Sequence, residues 1–308
     1  MTDLQMTVGI AFLLVMMFAM GCEAELPEMI SQVRKYRLAV SALLANLVLV
    51  PLLGIAVVAL FHLKGDYADA LLILAVAPGA PFSANFTSKA TGAINVAASL
   101  LFVLLLTSVV FTPLAANLLL PGTAAVSLHY ARAIAAIALV LVLPFALGQV
   151  FKKNTGHLAT LVSRAATVLA LVIFVSFMVL SAAAGKQART AIGGETVLAI
   201  LAFAAGAMLI GWLAGGPERP DRQVMAIGTG MRNVAVASAL VRSLGSQAGQ
   251  QVIVAFFSVV VPLSLLLTIA ETVRSKRRAL SAAVSYTHLR AHETPEHLVC
   301  RLLLEKKK

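Results

Sequence analysis

Nine runs of apolar residues, each close to the length of a membrane-spanning helix, leave this chain one solvent in which to fold. They are residues 5–22, 37–61, 68–90, 93–119, 131–151, 162–184, 194–214, 222–243 and 249–274. A bilayer core of about 30 Å takes about 20 apolar residues per helix. Only 12% of the residues are charged and mean hydropathy is +0.94, far too apolar for a soluble surface. In lipid every backbone N–H and C=O must be paired within the chain, so these runs are expected to be helices. A membrane β-barrel would show short segments of alternating polarity, which this sequence lacks. The fold class that follows is an all-α polytopic membrane protein of about nine transmembrane helices. The first run lacks a basic leader and a small-residue cleavage site, so it reads as a span rather than a signal peptide.

The end of the sequence reads differently. Residues 284–294, VSYTHLRAHET, match an in-frame translation of a transposon-type sequencing adapter, and the residues after them match its continuation. Residues 284–308 are therefore read as an adapter-derived tail and 1–283 as the transmembrane domain, with the natural C-terminus expected near Ala283. His288, His292, His297 and Cys300 then carry no functional weight. Without the tail, 19 Lys/Arg against 10 Asp/Glu leave a net charge of +9. That charge does not point to nucleic acid, because the basic residues lie between apolar runs and form no stripe with aromatics.

The basic residues instead give an orientation. Arg34, Lys35, Arg37, Lys89, Lys152, Lys153, Arg164, Arg219, Arg222, Arg274, Lys276, Arg277 and Arg278 fall on one side of the nine spans. Lys64, Arg132, Lys186, Arg189 and Arg242 fall on the other, a ratio of thirteen to five. The positive-inside rule then expects the N-terminus outside and the C-terminus in the cytoplasm, in a plasma membrane such as the bacterial inner membrane.

Two spans cannot be ordinary helices. The third carries Ala77-Pro78-Gly79-Ala80-Pro81 near its middle, followed by Ser83, Asn85 and Thr87; prolines remove backbone donors and clash with the preceding turn. The eighth reads Ile227-Gly228-Thr229-Gly230-Met231-Arg232-Asn233, with two glycines and a charge at mid-span. A pair of interrupted spans is the sequence pointer to a transporter's binding site, although a proline kink and glycine packing would leave the same trace.

The positions of ionisable groups narrow the chemistry. Every Asp, Glu and His before the tail lies in a loop or at a span end. No buried carboxylate or imidazole is therefore expected for an intramembrane protease, a metal centre or a serine nucleophile, and no enzyme, metal or cofactor is expected. Two cysteines, Cys22 and Cys300, give no disulfide framework or metal-ligand spacing. Arg232 is the one ionisable side chain at mid-membrane. Insertion scales charge it about 2.5–3.5 kcal/mol, so it is expected to meet an anionic ligand or a set of carbonyl oxygens. Asn233, Ser83, Asn85 and Thr87 sit where the breaks expose helix ends, and helix N-termini attract anions. Asn46, ahead of Pro51 in the second span, is either interhelical glue or part of the site. Trp212 reads as an interfacial anchor and Gly211/Gly215 as packing.

These segments resemble the bile acid:sodium symporter family. Met17-Phe18-Ala19-Met20-Gly21 is similar to its MFGMG segment, Ala77 through Thr87 to its PGGTASN-x-x-T crossover, and Gly230-Met231-Arg232-Asn233 to its E-x-G-M-Q-N crossover. The resemblance spans residues 5–278. It implies inverted repeats, two broken helices that cross, and a core bundle moving against a panel. Pro78, Gly79, Pro81, Gly228 and Gly230 would form the crossover backbone, and Arg232, Asn233, Ser83, Asn85, Thr87 and Asn46 would bind substrate. The departures are specific. The family's sodium-binding glutamate falls on Gly228, its glutamine on Arg232, and its asparagine on Ala84 with Asn85 one place later. A serine and a threonine fall on Ala97 and Leu101. Of the oxygen ligands, Ser83 and Asn46 remain. A hard cation needs several oxygens and an arginine among them repels it. The expectation is a secondary transporter of a small organic anion, with the lipid bilayer as its other partner and sodium binding weakened or lost. A sodium-coupled symporter and a transport-inactive membrane sensor stay open as alternatives.

Overall fold

The computed structural model of the protein describes residues 3–33, 36–79, 83, 86, 94–120 and 127–291. Every regular element among them is helical: α1 (Asp3–Glu23), α2 (Leu26–Val33), α3 (Tyr36–Leu44), a π-helical turn (Ala45–Leu49), α4 (Val50–Leu60), α5 (Asp66–Ala75), α6 (Ile94–Leu119), α7 (Ser127–Thr155), α8 (His157–Ala214), α9 (Arg219–Gly230), α10 (Val234–Ser243) and α11 (Gln247–Ala291). Three described helices are long and apolar enough to cross a bilayer: Arg37–Leu60, Ile192–Ala214 and Gln247–Arg277. Val96–Leu105 and Val110–Leu119 add a fourth if the 46° bend between them lies within one span. The sixth and seventh expected spans are one helical element, α8, interrupted at Gly193, whose φ of 73° and ψ of 159° are not helical. A straight helix of its 58 residues would be roughly 87 Å long at 1.5 Å per residue, far beyond one bilayer core.

The other breaks fall where backbone chemistry puts them. Pro51 has no N–H to give the carbonyl one turn before it, and the helix absorbs this by widening: the Val50 N–H reaches back five residues to Ala45 O. In α5 regular helix ends at Ala75, before Pro78, since a residue preceding proline is pushed out of the α region. In the eighth span helix stops at Gly230 and restarts at Val234, with Met231 extended. Asn233 caps the restart, its Oδ1 accepting from Val236 N at 3.2 Å.

Packing forms two groups of helices that share α8. On one side α7 and the first part of α8 lie on α1. There Ser163 Oγ donates to Ala19 O at 3.1 Å, and Gln149 Nε2 donates to Ala24 O at 2.8 Å. Lys152 Nζ donates to Glu23 O and Ala24 O, both at 3.1 Å, so α7 caps the negative end of α1. On the other side the second part of α8 packs on α9 and α11, with Phe203 and Phe256 rings 5.9 Å apart. Gly211 and Gly215 let α9 approach closely: a methyl at either would strike the α9 backbone, at Met225 and Arg222 respectively. The GxxxG pair is thus packing within the chain, as expected.

Candidate functional site

The site forms where the two broken spans meet, and the prolines set it up. In a continuous helix the N–H at position 78 would bond Leu74 O and that at 81 would bond Ala77 O. Both positions are proline, so both acceptors need donors from elsewhere. The second break supplies them. Arg232 Nε donates to Leu74 O at 3.0 Å and the Asn233 N–H to Ala77 O at 2.9 Å. Between these, Arg232 Nη2 donates to Ala75 O at 2.7 Å and Thr112 Oγ1, from α6, to Val76 O at 2.8 Å. Four successive carbonyls at the end of α5 are therefore all paired.

Arg232 is fully buried, at 0% exposure, and serves a second helix end too. Its Nη1 donates to Thr229 O at 3.4 Å, on the last turn of α9, and to Asn46 Oδ1 at 2.6 Å. The guanidinium thus lies at the negative ends of two helices, the placement that favours a cation. Four oxygens surround it, three of them backbone carbonyls, and no described carboxylate contacts it. Charge-assisted bonds of this kind each contribute about 1.5–3 kcal/mol, enough together to offset the cost of placing arginine at depth.

Asn46 projects from the π-helical turn and is fixed by its neighbours. A guanidinium has only donors, so the carbonyl oxygen of the amide faces Arg232. The amide nitrogen then donates to Ala42 O at 3.0 Å and to Thr229 Oγ1 at 3.1 Å. Thr229 was not expected as a site residue from the sequence. Thr112 was not either.

A narrow cleft adjoins this network, lined by Asn46, Gly79, Ser83, Ala97, Leu100, Leu101, Leu104, Val224, Met225, Gly228 and Thr229. Its cavity volume is about 10 Å³, room for about one water, so a ligand enters only if its walls part. Gly79 borders it with φ of 86°, a left-handed conformation, and a methyl there would press on Leu105 N at 3.2 Å. Gly228 borders it in the opposite sense: an added methyl would meet nothing within 4 Å. Gly230 faces away, its hydrogen side packed on Met208. At the start of α5 a second hollow is lined by Asp66, Asp69, Ala70, Leu119, Leu120, Val241, Leu244 and Ser246.

Of the expected substrate contacts, Asn46 and Ser83 line the cleft. Arg232 and Asn233 do not: Arg232 stands behind Asn46 with its donors directed to protein oxygens, and Asn233 caps α10. The Asn233 Nδ2 group is 1% exposed as a residue and has no hydrogen-bond partner among the described residues. Asn85, Thr87 and Pro81 lie outside the described residues. Pro78 follows the end of α5 at Ala75. Among the described residues no group of three or more His, Cys, Asp or Glu could hold a metal.

Comparison with known families gives a match. The profile of the Sodium Bile acid symporter family aligns with residues 10–191, more than half of the chain. That stretch contains Asn46 and the first break, and ends before the second. No curated protein matches the sequence.

Proposed function

The chain belongs to the sodium bile acid symporter family, and from that premise we propose that it is a secondary transporter of a small organic anion in which Arg232 takes the place of a coupling cation. The observation that carries this is the set of oxygens around the guanidinium. Leu74 O, Ala75 O, Thr229 O and Asn46 Oδ1 converge on one positive charge, with no carboxylate in contact among the described residues. A free cation would need the same oxygens, and a fixed positive charge among them repels it. Gly228 and the apolar Ala97 and Leu101 support the same reading, since they line the cleft without offering a side-chain oxygen.

The uncompensated charge of Arg232 also favours an anion in the cleft, since the interaction acts at low dielectric over a short distance. Arg232 acts there through Asn46 and through its field rather than by contact. Ser83 lies on the cleft wall and Thr229 beside Asn46 lines it too. Ala97, Leu100, Leu101 and Leu104 suit an apolar body behind a polar head. Alternating access would come from the α1–α7 group rocking against the helices around the crossover, in an inverted-repeat fold of nine spans within a bacterial inner membrane, C-terminus in the cytoplasm.

The test is uptake into proteoliposomes of a panel of radiolabelled organic anions, cholate among them, with sodium or choline as the outer cation. Uptake above empty liposomes with equal initial rates in both media supports the reading. Uptake that requires sodium rejects the built-in cation.

A further inference from the structure

The network behind the cleft fixes the direction of one more proton. Arg232 holds the Asn46 carbonyl oxygen at 2.6 Å, and this orients the amide so that Nδ2 donates to Thr229 Oγ1 at 3.1 Å. Thr229 Oγ1 is therefore an acceptor toward Asn46, and its own proton must turn elsewhere. Among the described residues no acceptor takes that proton, although Thr229 is only 1% exposed. The side chain lines the cleft beside Gly228, where the space next to the backbone is open.

We infer that Thr229 is a specificity-determining residue: its hydroxyl, turned outward by the Arg232–Asn46 pair, donates to an acceptor oxygen of the ligand's anionic head. This rests on the reading that the cleft takes an organic anion, and it names the atom that reads the head. Arg232 and Asn46 are positioning residues here. Arg232 sets the amide, the amide sets the hydroxyl, and the hydroxyl selects acceptors over donors. A head group that can only donate, such as an ammonium, meets a donor and a nearby positive charge. Both disfavour it, and a site built around one hydrogen bond rejects the partner that cannot form it.

Two nearly isosteric changes should differ in outcome. Thr229→Val keeps the shape and removes the donor. Asn46→Asp keeps the bond from Arg232 but replaces the amide donor with a second acceptor. The Thr229 proton then turns back to the new carboxylate, and the cleft is left facing an oxygen lone pair beside a neutralised arginine.

The experiment measures ligand-induced thermal stabilisation of the purified full chain by matched pairs: hexanoate against hexylammonium, and cyclohexanecarboxylate against cyclohexylmethylammonium. The unmodified protein is expected to prefer each carboxylate. Thr229→Val should lose about ten- to a hundredfold of that preference, the worth of one hydrogen bond to a charged group. Thr229→Ser should retain it, and Asn46→Asp should reverse its sign. A merely structural threonine would change the melting temperature without changing the ratio within a pair. The inference is overturned if the unmodified protein shows no carboxylate preference, or if Thr229→Val keeps it. If the valine variant does not purify, the serine and aspartate variants decide: an unchanged ratio in Asn46→Asp overturns it equally. Carboxylates that bind through Thr229 yet never cross a proteoliposome membrane would leave this inference standing and defeat the transport reading.

Discussion

Replacing Arg232 by glutamine should turn a sodium-indifferent protein into a sodium-stabilised one. The change removes the buried charge and shortens the side chain, so Ala75 O, Asn46 Oδ1 and Thr229 O lose their donor. Leu74 O keeps a second donor, the Ala77 N–H at 3.2 Å. Three unpaired buried acceptors cost about 1–3 kcal/mol each. Removing the charge returns about 2.5–3.5 kcal/mol of insertion cost. The net loss is then between about zero and 6 kcal/mol. What remains is a group of converging oxygens without a cation, the ligand type hard monovalent ions prefer. Sodium at a hundred times its dissociation constant would return about 2.7 kcal/mol. At about 2–4 °C per kcal/mol this is a rise of about 5–10 °C in the unfolding midpoint. The assay is thermal unfolding of both proteins in detergent, in sodium chloride and in choline chloride at equal ionic strength. An equal gain from sodium in the unmodified protein, or no gain in the variant, would rule out Arg232 as the built-in cation.

Three further changes probe the surrounding geometry. Gly228→Ala should raise stability by about 0.5–1 kcal/mol, because helix propensity improves and the added methyl meets nothing, while ligand binding in the narrowed cleft weakens; paired melting and binding curves check this. Gly79→Ala should lower stability by more than 1 kcal/mol, since φ of 86° strains an L-residue and Leu105 stands in the way, and a fall in melting temperature reads it. Thr112→Val leaves Val76 O without its donor and should cost about 1–3 kcal/mol, whereas Thr112→Ser should restore most of the loss in the same assay.

Much of this fold could be read from the sequence because its constraints are local. Apolar length places the helices, and Pro78 and the Gly228–Asn233 segment place both breaks within a residue or two. Arg232 could be singled out because no other charge lies at such depth. Its partners could not, because they come from residues up to 186 positions away and are mostly backbone carbonyls, which no side-chain pattern reports. The missing signal was present in indirect form: Pro78 and Pro81 each delete a donor, and Arg232 with Asn233 restores two. Thr229 and Thr112 carry no signal of their own, because a lone threonine in an apolar helix usually bonds its own preceding turn. Only contact with Asn46 and Val76 distinguishes them. The bend in α6 and the union of two spans in α8 depend on tertiary packing and on one glycine torsion, which composition does not encode.

The most direct measurement is binding of radioactive sodium to the purified protein by scintillation proximity, alongside Arg232→Gln. With Arg232 standing in for the cation, the unmodified protein should bind no saturable sodium and the variant should bind it. Saturable sodium binding by the unmodified protein, absent from the variant, would contradict the account.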